Sequence, residues 1–130
     1  MNSPNSIQKV AIIGAGIAGL SCAKELQSHG VAVDVFEKSR GASGRMSTRC
    51  TQEWAADHGA QYFTARDPRF HQEVQRWVQA GIADIWSPTL KVFTDGVWHK
   101  SNSRETRYVG IPSMNSVSYT HLTLPTNREV

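Results

Sequence analysis

The chain has 130 residues, with 14 Lys and Arg against 11 Asp and Glu, a formal net charge of +3. That mild, dispersed excess excludes a nucleic-acid arm and a polybasic membrane anchor, and 39% apolar residues exclude a fibrous or wholly disordered chain. Two cysteines, Cys22 and Cys50, make no disulfide framework and no Cys-x-x-Cys pair, so the expectation is one small domain, or part of a larger one, in a reduced, cytoplasmic setting.

The start, Met1 to Ser6, has no basic n-region. Ile7 to Ile13 ends in β-branched residues and predicts a strand buried on both faces, as in a parallel sheet. Gly14 stops it. The apolar stretch Val10 to Leu20 contains three glycines and is too short to span a bilayer. From Ile17 to His29 the spacing of Ile17, Leu20, Ala23, Lys24 and Gln27 predicts a helix, which Gly30 ends. Val31 to Phe36 predicts a second strand, with Glu37 at its end. Strand, glycine turn, helix and strand form a βαβ unit.

Lys38 to Cys50 has no apolar periodicity and predicts a loop. Asp67-Pro68 predicts a helix start, with Phe70, Val74, Trp77 and Val78 as its buried stripe and Gly81 as its stop. Ile82–Trp86, Leu90–Phe93, Val97–His99 and Arg107–Val109 predict short strands. Thr94-Asp95-Gly96 signals a hairpin between the middle pair. Val117 to Thr126 fits neither period.

The chemistry lies in Gly14-Ala15-Gly16-Ile17-Ala18-Gly19, a G-x-G-x-x-G run between a predicted strand and a predicted helix. Gly14 permits the sharp turn, Gly16 lets a pyrophosphate approach the backbone, and Gly19 lets helix and sheet pack closely. The helix N-terminus then offers unpaired N–H groups to the phosphates. Glu37 follows Gly14 by 23 residues, where a carboxylate can accept from both ribose hydroxyls and repels a 2′-phosphate. The reading is a Rossmann-like α/β dinucleotide site for FAD or NAD, with NADP disfavoured.

Gly44-Arg45-Met46-Ser47-Thr48 resembles the second glycine–arginine motif of the flavoprotein family related to amine oxidases. Gly59-Ala60-Gln61-Tyr62-Phe63-Thr64-Ala65-Arg66-Asp67 resembles a segment of bacterial renalase-like FAD-dependent oxidoreductases. The likeness runs from Val10 to about Asn115 and takes in Lys38 to Gly41 and Val109 to Pro112. It departs at Ser43 and Ser113, where that family more often has glycine.

The resemblance implies an FAD-binding βαβ unit followed by the start of a smaller α+β substrate domain. Cofactor contacts would fall on Gly14 to Gly19, Glu37, Lys38, Gly44, Arg45, Met46, Gly59, Ala60, Gln61 and Tyr62. Arg45 would add a cation at the phosphates, and Gly59 to Gln61 would pass beside the flavin ring. Tyr62 and Phe63 would wall the pocket, with core packing an equal reading for Phe63. Trp77 and Trp98 are expected in core and cover. The activity implied is hydride transfer from a reduced small molecule, a dihydronicotinamide isomer or an amine, to FAD and then to oxygen.

Val117 to Val130 resembles the read-through of a transposase sequencing adapter. The chain thus divides into a dinucleotide-binding segment over 7–65, the start of a substrate domain over 66–109, the start of a further element over 110–116, and an adapter-derived stretch over 117–130. On that reading the natural protein continues past about Asn115, and this chain is an inactive N-terminal fragment. The rivals are an NAD-dependent dehydrogenase module and a non-functional truncation.

The five histidines, His29, His58, His71, His99 and His121, form no HExxH pair and no zinc spacing. His58, beside the proposed flavin segment, is expected in a hydrogen-bonding role. No G-x-S-x-G elbow or P-loop is present, and Asp57 and Glu53 have no partner pattern for acid–base work. A flavoenzyme needs none, since the cofactor carries the hydride chemistry.

Overall fold

A computed structural model describes residues 9–120 and 126–128. The first predicted unit forms as a parallel pair, β1 (Lys9–Ile13) and β2 (Ala32–Glu37), joined through α1 (Ile17–Ser28). The register runs from Lys9 opposite Ala32 to Ile13 opposite Phe36. His29 caps α1, and Gly30 turns out of it at a φ of 76°. Ala15, Leu20, Ala23, Val33 and Val35 form the core here, with Ile12, Leu26 and Ala42 packed on it.

β1 is not buried on both faces: its residues are half-buried or exposed, and Ile13 is 83% exposed. The cause is topological. Among the described residues β1 pairs on one side only, in a sheet ordered β1–β2–β9, with β9 at Thr126–Arg128.

The Lys38 to Cys50 loop carries two pieces of structure that local pattern does not announce. One is a single 3-10 turn at Gly44–Met46. The other is β3 (Thr48–Cys50), paired antiparallel with β4 (Ala55–Asp57).

The second core is built around α2 (Pro68–Gln79). The Asp67 carboxylate accepts from the Arg69 and Phe70 amides, the capping predicted from Asp67-Pro68. Val74 and Trp77 of α2 are buried with Ala83, Tyr108 and Val117. Phe70 sits at the rim, 38% exposed, with its ring on Phe63 and Trp77. β5 (Ala83–Trp86) pairs antiparallel with β8 (Arg107–Gly110). Ile17 of α1 and Met46 of the 3-10 turn also pack on this core, so the glycine turn lies between the two cores.

β6 (Lys91–Thr94) and β7 (Val97–Lys100) form the predicted hairpin. Asp95 and Gly96 both take positive φ, 51° and 80°, as a two-residue type I′ turn requires. Among the described residues this hairpin pairs only with itself, and all eight of its strand residues are exposed. Trp98, expected in core or cover, is therefore 66% exposed, with its ring against Phe93.

Of the stretch read as adapter-derived, Val117 to Tyr119 lies in α3 (Ser116–Tyr119), and Val117 is buried; Thr126–Arg128 forms β9. The predicted strand start at Ile7 and Gln8, the reading of Met1 to Ser6, and His121 fall outside the described residues. Among the described residues, no helix is long and apolar enough to cross a membrane, and no cluster of His, Cys, Asp and Glu could hold a metal ion.

Candidate functional site

The turn from β1 into α1 is tight. Gly14 takes a φ of 99°, and its N–H donates to the Phe36 carbonyl at 2.7 Å. A β-carbon on Gly19 would overlap the Gly14 carbonyl oxygen, so Gly19 is what lets the helix sit on the turn. Gly16 is different. It is the N-cap of α1 at a φ of −76°, with no side-chain cap, and a β-carbon there would meet nothing within 4 Å. The first-turn amides of α1 thus face open space beside a residue without a side chain.

Glu37 closes the turn from below. Its Oε2 accepts from the Ala15 N–H at 2.7 Å and its Oε1 from the Ser39 N–H at 2.8 Å. The residue is only 9% exposed. The Ala15 amide, then the Ser39 amide, hold its carboxyl below the ordinary glutamate range, against the opposing pull of burial. A carboxylate has about four acceptor sites, and the two amides take one on each oxygen. Glu37 is therefore a strut of the turn as well as a candidate ribose ligand, a role the spacing alone does not reveal.

The second motif docks on the first. Ser43 N–H donates to the Ala15 carbonyl at 2.9 Å, Ser43 bridges to Gly16, and a β-carbon on Gly44 would lie 3.5 Å from the Gly16 Cα. Arg45 is exposed beside them, its side chain without hydrogen bond or ion pair. The third segment docks on the second. Ala60 N–H donates to the Arg45 carbonyl at 2.8 Å, and a β-carbon on Gly59 would overlap that carbonyl. Gly14–Gly19, Glu37, Gly44, Arg45, Gly59 and Ala60 thus form one contiguous cluster, with Ala15 and Glu37 buried within it.

Four predicted residues lie at or beyond its margin. Met46 points into the second core, and Lys38 is exposed. Gln61 is exposed, while Tyr62 packs its ring 5.7 Å from Trp86 and under the Arg107 guanidinium. Phe63 stacks on Tyr108 and exchanges two backbone hydrogen bonds with it, which is core packing. His58 Nε2 lies 3.4 Å from the Ser47 hydroxyl.

Two residues with no assigned role anchor this region. Asp57 Oδ1 accepts from the Thr48 hydroxyl at 2.5 Å and from the Met114 N–H at 3.1 Å, and Thr48 Oγ1 accepts from the Asn115 N–H at 3.2 Å. They fasten the turn after β8 to the β3–β4 hairpin. Only the tertiary fold brings these partners together.

Ser43 is strained. Its φ is 97°, it is 1% exposed, and its hydroxyl is buried with no hydrogen-bond partner. Glycine there would relieve a left-handed strain of about 1–2 kcal/mol and an orphaned polar group, against an entropy cost of about 0.5–1 kcal/mol. Ser43→Gly is expected to raise unfolding stability by about 1 kcal/mol, read as a higher urea midpoint; a lower midpoint would contradict the strain.

Residues 12–80 match the model of the NAD(P)-binding Rossmann-like domain. The chain belongs to this family. Among curated proteins it is similar to the mitochondrial protoporphyrinogen oxidase of Nicotiana tabacum, 38% identical over 60 residues, covering 46% of this chain and 12% of that protein. It is also similar to the L-amino-acid oxidase of Siganus canaliculatus, 40% identical over 75 residues, covering 56% of this chain and 13% of that protein. The chain therefore matches about an eighth of these relatives' length. A solved structure of putrescine oxidase with putrescine bound shares the fold, at a TM-score of 0.54 and 22% identity, over 74% of this chain and 22% of that one. The Rossmann-like α/β reading of the sequence holds.

Proposed function

We propose that this chain is the dinucleotide-binding segment of a renalase-like FAD-dependent oxidoreductase. The whole protein would oxidise a reduced small molecule, a dihydronicotinamide isomer or an amine, with oxygen as final acceptor. One observation carries the reading: the glycine turn leaves open space at Gly16 while Glu37, Ser43 and Gly44 brace it from the other sides. The oxidase names of the relatives support it.

The residues present fit the cofactor. The first-turn amides of α1 would donate to the phosphate oxygens, and Arg45 would add a mobile cation. The Glu37 carboxylate would accept from the ribose hydroxyls at a remaining acceptor site, and its charge would repel a 2′-phosphate. The backbone at Gly59 and Ala60, held to the Arg45 carbonyl, would pass beside the flavin ring. FAD, when bound, would supply the hydride acceptor. No side chain here is assigned a catalytic role.

The family's own description as NAD(P)-binding keeps a nicotinamide dinucleotide as the second reading. Absorbance separates the two. A longer protein containing this segment should purify yellow, with flavin bands; a colourless protein that binds NAD would favour the second reading. The 130-residue chain alone is expected to retain little FAD after gel filtration and to show negligible turnover. Stoichiometric flavin on it would overturn that part.

A further inference from the structure

A cavity of about 420 Å³ opens between the loop after β5, the base of the β6–β7 hairpin and the loop leading into β8. Its lining is cationic. Lys100, Arg104 and Arg107 face a single lining carboxylate, Glu105, which is already paired with Arg66. Among the described residues Lys100 and Arg104 make no side-chain hydrogen bond or ion pair. Arg107 is fixed in place: Nη1 donates to the Glu105 carbonyl at 3.1 Å, Nη2 to the Ser103 hydroxyl at 3.2 Å, and Cζ lies 5.3 Å from the centroid of the Tyr62 ring. Its Nε–H is buried without an acceptor. Trp86 supplies a flat apolar wall.

A guanidinium charge held in place, two further free cations and a volume in the range of small-ligand sites fit an oxyanion with a flat body. We propose that this cavity binds a small organic oxyanion, a carboxylate or a phosphate monoester, with its oxygens toward Arg107 and Arg104 and its body on Trp86. The site does not depend on the dinucleotide reading.

The test uses the ¹⁵N-labelled 130-residue chain, titrated separately with benzoate, phenyl phosphate and inorganic phosphate. Saturable shifts at the Arg107 Nε–H and at the amides of residues 101–107, with benzoate or with phenyl phosphate, support the site, and the arm that saturates names the ligand chemistry. The ring-bearing ligand should saturate at lower concentration than inorganic phosphate. Arg104→Gln, at an exposed and unpaired position, should weaken binding about tenfold without moving the thermal transition. Shifts that rise linearly to the highest concentration, that match in Arg104→Gln, or that appear equally at Arg40 and Arg49 would overturn the proposal.

Discussion

Gly19→Ala is expected to lower the thermal midpoint of the chain by about 8 °C, even though it adds a better helix former. Two effects compete. Alanine in place of glycine inside a helix contributes about 1 kcal/mol. The new methyl group would overlap the Gly14 carbonyl oxygen, which belongs to backbone and cannot rotate away. Overpacking of this kind costs about 3 kcal/mol, so a net loss of about 2 kcal/mol follows. At about 4 °C per kcal/mol for a chain of this size, circular dichroism melting resolves it. The control is Gly16→Ala, whose β-carbon meets open space and which should lose only the about 1 kcal/mol of a poorer helix N-cap. A Gly19→Ala midpoint at or above the parent's would show that the turn and helix are not packed as described.

Glu37→Gln carries the second large effect. The carboxylate accepts two backbone amides, one on each oxygen. A carboxamide keeps one acceptor oxygen and turns an NH₂ group toward the other amide. With the oxygen kept on the buried Ala15 amide, the part-buried Ser39 N–H loses its partner, at a cost of about 1 kcal/mol. The pH dependence follows from the direction of the shift. The Ala15 and Ser39 amides hold the Glu37 carboxyl below the ordinary glutamate range in the folded chain. Its contribution is therefore complete above the unfolded value and is lost as pH falls through the folded one. Urea midpoints should fall more steeply with acidification in the parent than in Glu37→Gln. Parallel curves down to about pH 3 would show that the carboxylate is not held by those amides.

What the sequence discloses here is what lies close along the chain. Gly14, Gly16, Gly19 and Gly30 punctuate strand, helix and strand within one short span, and the structure follows them. The same is true of Asp67-Pro68, whose cap bonds reach two and three residues ahead, and of Asp95-Gly96, whose positive φ values need no distant partner. The three-residue strands β3 and β4 carry too little pattern to announce themselves. The Asp57 and Thr48 contacts to Met114 and Asn115 span 57 and 67 residues, so no local spacing could reveal them.

Exposure is the other limit. Strand composition at Val97 to His99 predicts the strand, observed over Val97–Lys100, but cannot say what covers it, and Trp98 is exposed because among the described residues its hairpin pairs only with itself. For the candidate site, the glycine turn and Glu37 are legible in motif and spacing. The bracing of that turn by Glu37, and the strain at Ser43, emerge only when the second motif folds back over the first.

The most direct measurement is flavin occupancy of a longer protein containing this segment, with and without Gly16→Val. Among the described residues nothing lies within 4 Å of the new β-carbon, so the variant should still fold. Branched carbons would instead fill the space beside the first-turn amides of α1. The variant should purify folded, colourless and without bound flavin. A folded variant that keeps full flavin absorbance would mean the diphosphate is held somewhere else.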